Sequence, residues 1–213
     1  MSALSGPLEA RVFTDVQGRT LEAELVSVSE ERIIVKLPNR KEVPIKIETL
    51  SEEDRDFVAE WAAEKESNEA ERKAIEEAQM LAVEQRAKVV AFCESNLKQK
   101  VGNGECWTLA DEAFKAAGAK RPAGESRVWG RLVNFEKEQI EPGDVVEFRT
   151  AAISGYGKTG PAHTSVVIEG GRRGRCKIAE QNWSGNKTVR TTEIDLGSLT
   201  SGEVFVYRIE ATP

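Results

Sequence analysis

The chain contains one histidine, His163, within Pro161-Ala-His-Thr-Ser-Val-Val-Ile-Glu169, which reads as a loop entering a strand. Upstream, Gly102-Asn-Gly-Glu-Cys106-Trp-Thr-Leu-Ala110 is a glycine turn that delivers a cysteine to the start of a helix. Downstream, one hairpin away, come Glu180-Gln181-Asn182. A thiol nucleophile needs an imidazole to take its proton, and the imidazole needs a third group to orient it. Cys106, His163 and either Glu180 or Asn182 can supply those three parts. The chemistry they would perform is attack on an amide carbonyl through an acyl-enzyme.

Most unpaired cysteines pack as small hydrophobes, so the setting of each has to be weighed. A helix N-terminus carries partial positive charge and free amides, which bring a thiol from about 8.5 toward 7 or below. Gly102 and Gly104 let the backbone turn sharply and leave the sulfur of Cys106 approachable, whereas Cys93 and Cys176 sit in apolar-periodic segments and are expected to be inert. Paired positions of an antiparallel hairpin have a constant sum. If Glu169 faces Gly174 that sum is 343, and His163 faces Glu180. A longer loop moves the partner to Gln181 or Asn182. Glu180 and Asn182 share a face, Gln181 points away, and directly opposed residues stand roughly 5 Å apart at Cβ. Trp107, Trp129 and Trp183 are expected as pocket walls, and the Cys106 N–H as one oxyanion donor. The tip Arg172, Arg173 and Arg175 reads as a solvated turn.

These groups must be held by a fold. Residues 9–47 read as short strands: Glu9–Thr14, the alternating Thr20–Val28 with Leu21, Ala23, Leu25 and Ser27 on one side, Arg32–Leu37, and Glu42–Ile47 with Pro44 marking an edge. Strands at this spacing predict a small antiparallel barrel or meander. Ser51 is a helix N-cap, with Phe57, Val58, Trp61 and Ala62 at helical spacing behind it. Residues 64–98 contain no glycine or proline and predict one long helix, or two with a small break. Its second half carries Leu81, Val83, Val89, Val90 and Phe92, expected to pack on the next domain, with the division near residue 76. Cys106–Ala117 follows as a helix stopped by Gly118. Then come a strand at 145–149, a Gly-rich mobile loop at 151–161, a hairpin of 164–169 with 176–181, and strands at 189–195 and 203–209. The class is α+β with an antiparallel sheet.

At 213 residues the chain has room for one generous domain or two small ones. Its net charge of −6 argues against a nucleic-acid partner held through phosphates. No segment approaches the roughly 20 apolar residues of a membrane span. Three scattered cysteines and a single histidine predict neither a disulfide framework nor a zinc site, and no cofactor is expected. The start, Met1–Pro7, has neither a basic region nor an apolar run, so no signal peptide is expected. That leaves the compartment open between the cytoplasm and the mature form of an exported protein.

The C-terminal part, about residues 86–209, resembles the CHAP/NlpC-like branch of papain-fold hydrolases. The resemblance is carried by Gly104-Glu-Cys106-Trp, Pro142-Gly143-Asp144 before a strand ending in Phe148, His163-Thr-Ser-Val-Val-Ile, and Glu180-Gln-Asn-Trp183. It is more similar still to the cysteine-proteinase-fold domain of certain fungal cortical-actin proteins, through Gly102–Ala110, Trp129-Gly130 and Val206-Tyr-Arg208. This resemblance implies Cys106 as nucleophile, His163 as base and Glu180 or Asn182 as orienting group. It also implies a peptide, protein isopeptide or peptidoglycan substrate. Eukaryotic relatives include non-enzymes, so a peptide-binding scaffold is the alternative. The first 62 residues resemble the SH3-like barrel of the Sla-type homology class through Arg11-Val-Phe-Thr-Asp, Gly18-Arg-Thr-Leu-Glu-Ala and Leu50-Ser-Glu-Glu-Asp. That likeness implies a short-peptide ligand, and in bacteria an exported protein. The expected organisation is an SH3-like barrel plus short helix at 8–62, a long helical linker at 63–85, and a papain-like domain at 86–213.

Overall fold

The computed structural model describes residues 10–124 and 126–210. Two compact units divide the chain, residues 1–73 and 74–213.

In the first unit, β1 (Arg11–Thr14), β2 (Thr20–Val28), β3 (Arg32–Lys36) and β4 (Glu42–Lys46) form an antiparallel meander in chain order. β4 is an edge strand, the position that tolerates Pro44. Phe13, Ala23, Leu25, Ile33, Val35, Leu50 and Val58 make the core. The alternation of β2 does not run to its end. The register with β3 slips between Leu25 and Ser27, so Val28 rather than Ser27 packs on the core. A bulge puts one extra residue in a strand and reverses which side chains face inward. Ser51 precedes helix α1 (Glu52–Ser95) and accepts from the Asp54 amide through Oγ at 3.2 Å, as an N-cap should. Asp54 is itself buried and accepts from Arg11 Nη2 at 2.9 Å and the Thr14 amide at 2.6 Å.

The expected short helix and linker are one uninterrupted helix of 44 residues, and the division between the units falls inside it. Nothing in Glu52–Ser95 breaks an α-helix: no glycine, no proline, and a run of strong helix formers.

In the second unit, α1 contributes Val89 and Cys93 to a core shared with helix α2 (Cys106–Ala117) and one face of a sheet. Val90 and Phe92 pack on that core, but Leu81 and Val83 are exposed, contrary to the expectation that both would be covered. The sheet contains β5 (Arg131–Val133), β6 (Val145–Ile153), β7 (Gly157–Lys158), β8 (His163–Glu169), β9 (Arg175–Glu180), β10 (Arg190–Asp195) and β11 (Leu199–Arg208). Its order is β10-β9-β8-β6-β11-β5, with β7 paired to β6, and every pairing is antiparallel. β7 lies inside the expected mobile loop, β6 runs on to Ile153 through its start, and β5 is a strand for which no element was expected.

Alternation sorts the sheet residues between two faces. Val145, Val166 and Ala179 meet Leu109, Ala113 and Phe114 of α2, while Val146, Phe148, Val167 and Ile178 form a second core on the far side. Each such aliphatic side chain contributes about 1.5–3 kcal/mol on burial. α2 ends at Gly118, whose φ of 67° supplies the left-handed turn the stop requires. Three quoted motifs meet away from the thiol. Buried Asp144 accepts from Arg208 Nε at 2.9 Å and Nη2 at 2.8 Å, and Gly130 passes against the Arg208 carbonyl with no room for a side chain.

Candidate active site

Cys106 is the first residue of α2, with Glu105 extended ahead of it at φ −77° and ψ 150°. Gly104 takes φ +83° and lies against Lys187, where a Cβ would stand 2.9 Å from the lysine Cβ. Glycine there permits both the left-handed turn and the close approach. Gln181 fixes this loop to the end of β9. Its Nε2 donates to the carbonyls of Val101 at 3.0 Å and Glu105 at 2.8 Å and to Thr108 Oγ1 at 2.9 Å, and its Oε1 accepts from the Val101 amide at 3.1 Å. All four bonds are made by a fully buried side chain. Gln181 does point away from the imidazole, but it anchors the loop before Cys106 to the strand that carries Glu180.

His163 begins β8, 5 % exposed, paired with Phe148 of β6. Its Nε2–H donates to Glu180 Oε2 at 2.6 Å, which leaves Nδ1 for the thiol. The contact is not the one hairpin counting describes. Val166 pairs with Ala179 and Val167 with Ile178, a sum of 345 rather than 343, which would set His163 opposite Asn182. β9 ends at Glu180, however, and Asn182 takes φ +61° outside the ladder. The imidazole therefore bonds diagonally to Glu180, a pairing still within reach of long side chains. Asn182 Nδ2 donates instead to Glu105 Oε2 at 2.8 Å.

Glu180 is fully buried, and both of its oxygens are committed. Oε2 also accepts from the Tyr156 hydroxyl at 2.6 Å, while Oε1 accepts from Arg190 Nη2 at 2.8 Å, Arg190 Nε at 3.1 Å and Thr192 Oγ1 at 3.1 Å. Burial alone would raise its pKa, but hydrogen bonds from His163 and Tyr156 and the charges of His163 and Arg190 hold it below the ordinary carboxylate range. Burial likewise disfavours imidazolium at His163, yet the hydrogen bonds with Cys106 and Glu180 overcome it and lift the ring to about 9. At Cys106 burial pushes the thiol up, and His163, by hydrogen bond and charge, together with the Thr164 and Trp107 amides, brings it below its ordinary value. All three shifts favour thiolate, imidazolium and carboxylate together. Cys93 and Cys176 show the opposite behaviour, each raised to about 12 by burial.

Cavities of about 330 Å³ lie on either side of Cys106. One is lined by Glu105, Lys158, His163, Asn182 and Trp183. Trp183 stands edge-on to the imidazole at 5.5 Å and lies 4.2 Å from Tyr156. The other is lined by Trp107, Arg121, Arg127, Glu147 and Thr164. Trp129, expected as a wall, is 1 % exposed and belongs to the core. It packs on Phe114 at 5.2 Å and donates Nε1–H to Glu147 Oε1 at 2.6 Å. A larger cavity of about 460 Å³ beside Cys176 has no reactive thiol, since that sulfur is the one raised to about 12.

Tyr156, Arg190, Thr192 and Glu147 were not singled out from the sequence, and Gln181 was considered only as the weaker partner for His163. Arg190 and Thr192 alternate on β10, and Arg190 pairs in register with Glu180. Glu147 is the one charge in Val145-Val-Glu-Phe148, an odd residue for a doubly covered strand. Those two signals were legible; Tyr156, in a glycine-rich stretch, gave none.

A cysteine opening a helix that packs on an antiparallel sheet, with a histidine on that sheet, is the arrangement of a papain-like cysteine-proteinase fold. Residues 64–212 match the family described as the AIM3/BBC1 cysteine proteinase-fold domain, and the chain belongs to that family. "Altered inheritance of mitochondria protein 3" of Debaryomyces hansenii is 32% identical over 147 residues, covering 56% of this chain and 15% of that protein. The chain thus spans a small part of that relative. Among solved structures, Ly7917 aligns at 17% identity over 58% of this chain and 62% of its own, with a TM-score of 0.41. NlpC2 from Trichomonas vaginalis aligns at 12% over 95% and 70%, with a TM-score of 0.42.

Proposed function

We propose that this chain is a cysteine amidohydrolase that cleaves peptide or isopeptide amide bonds through Cys106, His163 and Glu180. The thiolate attacks the amide carbonyl, and the oxyanion forms beside the Cys106 N–H. Imidazolium gives its Nδ1 proton to the departing amine, leaving a thioester. Neutral His163 then takes a proton from water, hydroxide adds to the thioester carbonyl, and the acid leaves as the thiolate and imidazolium are restored. Glu180 stays ionised and holds the ring. The observation that carries the reading is the 2.6 Å bond from the sole imidazole to a fully buried carboxylate. Peptidoglycan peptide and protein isopeptide both fit the reaction class. In this organisation residues 8–62 form an SH3-like barrel that takes short peptides, 63–85 a helical linker, and 86–213 the hydrolase. The four-stranded meander closed by Leu50 and Val58 supports the barrel assignment.

A catalytically idle peptide-binding scaffold is the second reading. Alkylation separates the two. At pH 6, iodoacetamide labels Cys106 at least tenfold faster than a free thiol, and His163→Ala removes the advantage. Cys93 and Cys176, at about 12, stay unlabelled in the native chain and act as internal controls. A Cys106 no faster than a free thiol would leave only the scaffold.

A further inference from the structure

Two residues that line the second cavity beside Cys106 each carry a buried polar atom with no hydrogen-bond partner among the described residues, one an acceptor and one a donor. Glu147 is 1 % exposed. Its Oε1 accepts from Trp129 Nε1 at 2.6 Å and Thr164 Oγ1 at 2.8 Å, while its Oε2 accepts from nothing. Arg121 lies with its guanidinium 3.9 Å over the Trp129 ring, donates from Nη2 to the Ser126 carbonyl, forms an ion pair through Nη1 with Asp111 at 3.6 Å, and leaves Nε unmatched. Both residues line the same cavity as the Cys106 sulfur. A buried acceptor and a buried donor each left open are costly unless a ligand meets them.

We infer that this cavity is a subsite for a carboxamide side chain, glutamine or asparagine, on the peptide whose backbone Cys106 attacks. The amide N–H donates to Glu147 Oε2 and the amide carbonyl accepts from Arg121 Nε–H. An ammonium would find the carboxylate but face two guanidiniums, Arg121 and Arg127. A carboxylate would find the guanidiniums but face Glu147. A neutral group with both a carbonyl and an N–H satisfies each. Trp107 and Ala162 offer apolar surface to the methylene stem. Burial raises Glu147 above the ordinary carboxylate range. The pairing and the discrimination between charged ligands are those of the ionised carboxylate, whose Oε2 accepts the amide N–H. As a statement about substrate, it rests on the hydrolase reading; as a statement about the cavity, it can be read without catalysis.

The test is a titration of the full ¹⁵N-labelled chain with N-acetylglutamine methylamide and its norleucine, glutamate and lysine counterparts. Shifts are followed at the Trp129 indole N–H, assigned through Trp129→Phe. The expected result is a saturable shift with the glutamine ligand, at least fivefold weaker with the other three, and loss of the preference in Glu147→Gln. Should Glu147→Gln fail to fold, the ranking of the four ligands on the native chain still decides. No saturable shift, or a norleucine, glutamate or lysine ligand that matches glutamine, overturns the subsite. Slow Cys106 alkylation with intact glutamine preference removes the hydrolase and keeps the site. Fast alkylation without preference removes the site alone.

Discussion

Replacing Glu180 with glutamine separates its charge from its hydrogen bond. The amide oxygen still accepts from His163 Nε2–H and the side chain keeps its volume, but the imidazolium loses its counter-ion. His163 stands at about 9 against an ordinary 6.5. At 1.36 kcal/mol per pH unit, that gap is about 3 kcal/mol in favour of the protonated ring. Against burial, which pulls the other way, hydrogen bonds to Cys106 and then Glu180 supply it, followed by their charges. An even division assigns Glu180 about 1–2 kcal/mol, on the order of tenfold in proton affinity. A ring that holds its proton tenfold less tightly loses it at lower pH, while at pH 6 it is still protonated beside the thiolate. The midpoint of the His163 step in the Cys106 alkylation profile should therefore fall by about one pH unit from about 9. Arg190 would be left facing an amide, and a half-buried unpaired cation is itself disruptive. Glu180→Gln with Arg190→Met removes that complication and is expected to give the same midpoint. Stopped alkylation with mass-spectrometric readout measures the profile, and near-UV circular dichroism checks the fold. A folded variant whose midpoint does not move would refute the argument that Glu180 sets the charge state of the pair.

The same alkylation profile should carry a second inflection near 9, where His163 loses its proton and the thiolate its cation. The direction is upward, because a freed thiolate is more basic and more nucleophilic than an ion-paired one, and the inflection disappears in His163→Ala. Gly130→Ala should destabilise by at least about 2 kcal/mol in urea with an unchanged slope, because a methyl there meets the Arg208 carbonyl. A loss within about 0.5 kcal/mol would mean that β5 moves off β11 freely.

Local chemistry made much of the site legible. A glycine turn and a helix start marked the setting of Cys106, and a lone histidine left no rival imidazole. The strands and hairpin read from spacing already implied an α+β class with an antiparallel sheet. The long helix followed from the absence of any breaker in Glu52–Ser95. Leu81 and Val83 misled because periodicity records which residues share a face, not whether anything covers it.

What composition and spacing determined by themselves is the inventory: one thiol at a helix tip, one imidazole at a strand start, and a carboxylate and an amide a hairpin away. The choice between Glu180 and Asn182 belonged to the folded chain. It turned on where β9 ends and on a backbone torsion at Asn182, both set by contacts with Glu105 and Val101 some 80 residues earlier in the chain. The support around Glu180 is likewise tertiary. Tyr156 comes from the stretch after β6 and Arg190 and Thr192 from β10, and nothing in either segment alone encodes that their donors will converge on one buried carboxylate.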